Sequence, residues 1–266
     1  MESPKPSENG TAVAVDDAPG DPSRPLAGRS LVIGLGLVAL MVVALTGLAM
    51  SLAMARAHTT AEARLHTIAD LRASQVAMWL GERRADGEFL VSSRYLQALL
   101  AKRSASDAAV RDQAQLEILQ RLDDARRIYG YQAVYLADAA SGTASSVGGS
   151  ASLEPRVKDA LAHSAATGTV ETLGPYRDRD GAVWLDVVAP LASSDGRHTA
   201  SIVLRVDPKR SLFPMLQAWP TPTESGESLL ERRAGDVVEI LSEPRFSTDA
   251  AANRRIPLGD ERRLAT

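Results

Sequence analysis

Residues 31–55, LVIGLGLVALMVVALTGLAMSLAMA, form an unbroken run without a charged side chain, closed by Arg29 and Arg56. At about 1.5 Å per helical residue this run spans the roughly 30 Å hydrocarbon layer of a bilayer with length to spare. It predicts a transmembrane helix over residues 30–55. A cleaved signal peptide is the competing reading, because Ala53-Met54-Ala55 fits the small-x-small pattern of a signal peptidase site. Against it, the apolar part of a signal peptide is normally only about 7–15 residues long. A tail of nearly thirty residues also precedes this run. Retention as an anchor is therefore the expectation.

Orientation is less constrained than the span. Positive-inside counting sets Lys5, Arg24 and Arg29 against Arg56, Arg64 and Arg72, and does not choose between the two sides. Residues 1–29 are rich in Pro, Ser, Gly, Asp and Glu and poor in bulky apolar side chains, which predicts a disordered tail. Such a tail needs no export, and this favours a cytoplasmic N-terminus with the remainder outside.

Composition narrows the function classes. Aromatic residues make up only 4% of the chain although 45% is hydrophobic, so Ala, Leu and Val must fill the cores. A net charge of -3 offers no basic surplus for nucleic acid. The absence of cysteine removes disulfides, thiolate metal sites and cysteine nucleophiles, and leaves the compartment open.

Beyond the anchor, residues 57–101 contain no proline and are dominated by good helix formers, predicting a helix of more than forty residues that could stand about 60 Å off the membrane. Leu65, Ile68, Leu71, Val76, Trp79 and Leu80 recur at three- and four-residue intervals and give it one apolar stripe. That stripe fits packing against the chain's own domain and equally fits a homodimer seam that transmits a signal; the repeat is too irregular for a strict heptad. Ser106 and Asp107 then cap a second helix, with Val110, Ala114, Ile118, Leu122, Ala125 and Ile128 on one face, ending near Gly130.

From residue 130 the pattern changes to short strands. They are expected at 133–137 and 143–147 around a turn at Ser141-Gly142, then at 168–172, 183–190 and 199–206. A helix at 154–165 carries Pro155 in its first turn, and the turns Arg179-Asp180-Gly181 and Asp195-Gly196 separate the last strands. This order specifies an α+β module, one antiparallel sheet covered by helices, and not a doubly wound nucleotide fold. A connecting stretch at 209–219 leads to a fresh hairpin, 228–233 and 237–241 about Gly235-Asp236, which opens a second module too short to close a core. The expected organisation is thus 1–29 tail, 30–55 membrane helix, 56–129 stalk and packing helices, 130–208 distal module, and 209–266 linker with an incomplete second module.

Three segments carry a family resemblance. GAVWLDVVAPL, residues 181–191, and ASIVLRVDP, residues 200–208, resemble the closing strands of a membrane-distal double-CACHE module. LFPMLQAWPTPTESGESLLERRAGDVVEIL, residues 212–241, resembles the inter-module helix and first hairpin of CACHE-type sensors in bacterial histidine kinases and diguanylate cyclases, with Trp219-Pro220-Thr221-Pro222 the most specific part. The resemblance implies an inner-membrane receptor with a periplasmic sensor of two PAS-like modules on a long stalk helix, flanked by two membrane spans. The rest of the second module, the second span and the output domain would then lie outside this chain. A chemotaxis-type receptor or membrane adaptor using the same sensor is the alternative.

No catalytic constellation emerges. His58, His66, His163 and His198 are scattered without metal-ligand spacing, and no phosphate loop, nucleophile elbow or kinase motif is present. No cofactor or metal is called for. Ligand binding is the better candidate, on the sheet of the distal module. The polar groups suited to it are Tyr135 and Asp138 on the first strand, Tyr176 and Arg177 in the loop before the hairpin, and Trp184 and Asp186 on its second arm. Arg177 could fork onto a carboxylate and Asp186 could receive an amine, which suits an organic acid, an amine or an amino acid. Strand alternation puts Trp184 and Asp186 on one face. The amino-acid-binding pattern of some double-CACHE receptors, Arg-x-Trp-Tyr with a later aspartate, is not present, and Arg126-Arg127-Ile128-Tyr129 is a distant echo of it.

Overall fold

A computed structural model of the chain describes residues 24–138, 141–150, 152–193, 196, 198–218, 224, 226–245, 247 and 251–259. The Trp219-Pro220-Thr221-Pro222 motif and Asp195 of the expected Asp195-Gly196 turn lie outside these residues. The chain divides into two units, Met1–Arg64 and Leu65–Thr266.

The uncharged run is helical throughout, as part of α1 (Arg24–Val91). It is long and apolar enough to cross a membrane, with a mean hydropathy of 2.7 in its most apolar window. Its large apolar side chains are exposed to between 50% (Leu52) and 74% (Leu31), with none of the described residues packed over them. Exposure of this extent fits an apolar solvent rather than water.

In the second unit, α1 ends at Val91 instead of continuing to residue 101. The expected long helix is interrupted because Ser93 adopts an extended conformation, its hydroxyl accepting from the Leu96 N–H and starting α2 (Arg94–Arg103). Asp107 caps α3 (Ala108–Tyr129), its carboxylate accepting from the Ala109 N–H, and Gly130 closes it in a left-handed conformation.

The distal sheet comprises β1 (Ala133–Asp138), β2 (Ala144–Val147), β3 (Glu171–Arg177), β4 (Val183–Ala192) and β5 (His198–Val206), in the antiparallel order β2-β1-β5-β4-β3. Both faces are covered, so β1, β4 and β5 read as nearly continuous apolar runs. One face, carrying Val134, Leu136, Leu185, Val187, Ile202 and Leu204, packs with Leu99, Ile118 and Leu122 of the preceding helices in the main core. The other, carrying Ala133, Tyr135, Val188 and Val203, packs against α4 (Pro155–Thr167) through Val157 and Leu161, one helical turn apart. Fully burying each of those two side chains contributes about 1.5–3 kcal/mol.

The third strand departs most from expectation. It begins at Glu171 and runs through Gly174-Pro175, so Tyr176 and Arg177 lie in β3 and not in a loop. The pairing slips at this point: Leu173 faces Asp186, whereas Tyr176, three residues on, faces Trp184. The bulge brings Tyr176 onto the Leu173 face, where simple alternation would have put Pro175. Gly174 permits it, since its φ is +114° and a Cβ there would lie 2.8 Å from the Trp184 carbonyl oxygen.

After β5, α5 (Leu212–Gln217) joins Val76 of α1, Val183 of β4 and Ala251 in a third apolar cluster. The second sheet contains the expected hairpin, β6 (Glu231–Ala234) and β7 (Val237–Ile240), together with a third strand, β8 (Arg255–Pro257), that the sequence reading did not place.

Candidate functional site

A charged network lies on the α4-facing side of the distal sheet, at the register β4 and β5 dictate. Asp186 pairs directly with Arg205 across these strands, and Arg205 pairs with Ala133 on its other side, two residues from Tyr135. The guanidinium forks onto the carboxylate, Nε to Oδ1 and Nη2 to Oδ2, both at 2.9 Å. Nη1 donates to the Tyr135 hydroxyl and Nη2 to the Tyr176 hydroxyl, again at 2.9 Å, and the Tyr176 O–H donates to Asp186. The guanidinium also lies over two rings, 5.0 Å from the centroid of Tyr135 and 5.6 Å from that of Trp184. Trp184 is held from its far side, its indole N–H donating to Asp178, whose other oxygen organises the β3–β4 turn through the Asp180 and Ala182 N–H groups.

These groups are deeply buried. Asp186 is 0% exposed and Arg205 8%. Burial works against the Arg205 cation, but the hydrogen bonds and charge of Asp186 outweigh it and hold the guanidinium more basic than usual. Burial raises both tyrosine hydroxyls; Asp186 adds to the effect at Tyr176, while at Tyr135 the charge of Arg205 offsets part of it. At neutral pH both phenols are therefore protonated donors.

Two donor hydrogens of the network remain unspent among the described residues. Four of the five guanidinium N–H groups are used, two on Asp186 and one on each tyrosine. The Tyr135 oxygen accepts from Arg205, and among the described residues its own hydrogen has no acceptor. One Nη1–H and one phenolic O–H are thus unspent on adjacent atoms, and both favour an anionic oxygen. The segment following β2 approaches this point at Gly149, where a Cβ would lie 2.9 Å from the Tyr135 oxygen.

Four of the six sequence-derived candidates, Tyr135, Tyr176, Trp184 and Asp186, meet in this network. The other two lie elsewhere. Asp138 falls on the opposite phase of β1 from Tyr135, and its carboxylate accepts from the N–H and hydroxyl of Ser141 in the β1–β2 turn. Arg177 donates to the carbonyl oxygens of Gly181 and Ala251, tying the β3–β4 turn to the segment before β8. Arg205, the hub, was not among the candidates. Among the described residues no group of three His, Asp or Glu side chains could hold a metal.

The solved structures that the chain resembles include bacterial chemoreceptor domains. One is the ligand-binding domain of the Pseudomonas aeruginosa PAO1 amino acid chemoreceptor PctC in complex with GABA, at 25% identity and a TM-score of 0.41, covering 58% of this chain and 63% of that one. Another is the ligand-binding domain of the Pseudomonas fluorescens chemoreceptor CtaA in complex with L-isoleucine, at 16% identity and a TM-score of 0.48, covering 71% and 70%. The chain spans less than two thirds of the length of the PctC domain. No protein-family model matches it, and no curated protein matches it either.

Proposed function

We propose that this chain is the extracytoplasmic sensing region of a membrane-anchored bacterial receptor, and that its distal module binds a small carboxylate-bearing molecule, an organic acid or an amino acid. The observation that carries the reading is the buried Arg205–Asp186 pair with two unspent donors beside it. A sheet face under a helix does not need charges for stability, since well-packed apolar side chains of similar volume serve at least as well. In a recognition role the same pair orients a cation and a phenol toward a ligand carboxylate. The uncharged run of α1 supplies the anchor, with the N-terminus inside and the modules outside the inner membrane.

In this reading the chain senses and does no chemistry; catalysis, if the receptor has it, belongs to a histidine kinase or diguanylate cyclase output. A methyl-accepting coiled coil would make the receptor a chemotaxis protein instead. The coding sequence beyond the Thr266 codon distinguishes these outputs. The ligand reading is tested by a thermal-shift screen of small organic acids, amino acids and amines on the full chain in detergent. The expected result is a stabilising compound that carries a carboxylate. Stabilisation only by amines lacking one would refute it.

A further inference from the structure

A polar cavity lies beside the buried network, between the end of β3 and the face of the second sheet. It has a volume of about 110 Å³ and is walled by the guanidinium-bearing side chains of Arg156, Arg177, Arg232, Arg254 and Arg255, with Glu239 as its one acidic residue. Among the described residues Arg232 and Arg255 share the single Glu239 carboxylate, and Arg156 and Arg254 take no part in that pair, so guanidinium groups are in excess at this cavity in a chain whose net charge is -3. Like charges gathered at one cavity repel, and the fold tolerates them at a cost that a bound anion relieves.

The geometry explains how the arginines are held there. Arg232, Glu239 and Arg255 are cross-strand neighbours on β6, β7 and β8, so that one carboxylate serves two guanidinium groups, at 2.6 and 2.7 Å. Arg156, in the first turn of α4, lies over the outer side of the Tyr176 ring at 5.1 Å. Among the described residues neither Arg156 nor Arg254 has a carboxylate within ion-pair distance. A cavity of this size suits a compact multivalent group rather than a long chain.

The geometry points to this cleft as a binding site for a small multivalent oxyanion, a phosphate or a compact polycarboxylate, that bridges the distal module and the second sheet. The shared chemistry is two or more anionic oxygens received by planar guanidinium forks. The site borders the Arg205 network at the Tyr176 ring, but none of its five arginines belongs to that network, and it stands whether or not the network binds a ligand.

Calorimetric titration of the full chain in detergent with inorganic phosphate and, separately, with citrate tests the assignment, with acetate at matched ionic strength as the control. Saturable binding of phosphate, of citrate or of both beyond the acetate response is expected; which one binds identifies the source of the oxyanion. Arg156 and Arg254 are exposed and unpaired among the described residues, so R156Q and R254Q are expected to keep the parent melting temperature while losing about tenfold to a hundredfold in affinity each. Glu239→Gln, which releases Arg232 and Arg255 from their shared carboxylate, is expected to tighten binding. Responses to phosphate and citrate no larger than that to acetate, or affinities unchanged in both arginine variants, would overturn the proposal.

Discussion

Removal of either partner of the buried Arg205–Asp186 pair leaves the other charge stranded. In Asp186→Leu, Arg205 loses both carboxylate contacts while remaining 8% exposed, too little for water to replace them. Breaking a buried pair in this way costs about 3–5 kcal/mol. For a folded unit of about two hundred residues each kcal/mol moves the midpoint by roughly 2–4 °C, so the melting temperature should fall by about 6–20 °C. Arg205→Met should cost a similar amount, since it strands Asp186. The double variant Asp186→Leu/Arg205→Met removes both charges and replaces them with apolar groups of comparable bulk. It should recover most of the loss, ending within about 1–2 kcal/mol of the parent or above it. Urea denaturation of the four proteins closes the cycle. Additive losses, with the double variant as unstable as the two singles combined, would refute the claim that the pair is retained for recognition rather than for stability.

Three further outcomes follow from other parts of the structure. Gly149→Val should destabilise the distal module by about 1–3 kcal/mol, because its Cβ alone would sit 2.9 Å from both the Tyr135 oxygen and the Ala133 Cβ; an unchanged midpoint would show that the segment after β2 does not pack here. The hydrogen bond from Arg232, aided by Arg255, holds the Glu239 carboxyl below its usual range, so the stability it contributes is complete above the unfolded value near pH 4.3 and is lost as pH falls through the lower folded value. Between pH 6 and 3 the parent midpoint should therefore fall more steeply than that of Glu239→Gln, and parallel curves would contradict the linkage. Reporter fusions at Gly130 should be active with alkaline phosphatase and silent with a cytoplasmic reporter, the reverse pattern refuting the orientation.

Much of the fold follows from local signals whose physics is local. Asp107 and Gly130 bound α3 by capping at one end and a left-handed backbone at the other, and both are recognisable as residue types. The break between α1 and α2 rests on a single serine hydroxyl in a stretch otherwise rich in helix formers, so propensity alone ran the helix through it. Tyr176 and Arg177 were expected in a loop, yet Gly174-Pro175 marks a bulge within β3, and only the pairing with β4 decides between the two.

The site was partly legible for the same reason. Tyr176, Trp184 and Asp186 attract notice as polar or aromatic groups near a turn. Arg205 sits inside the apolar run ASIVLRV and was read as part of a strand. The β4–β5 ladder sets Asp186 opposite Arg205, but a register shift after Leu191 lies between that pairing and the connecting turn, so the turn residues alone do not give it. Arg177 was chosen for its position near a turn, and its engagement with the Ala251 carbonyl depends on a segment 74 residues away that no local pattern reveals.

The most direct test of the sensor reading is calorimetric titration of the carboxylate ligand found by screening into the full chain and into Tyr135→Phe. The substitution removes the unspent phenolic donor and keeps the ring under Arg205. If the site is the one described, affinity falls by about tenfold or more while the unliganded melting temperature changes by only a few degrees. Equal affinity in the two proteins would contradict it.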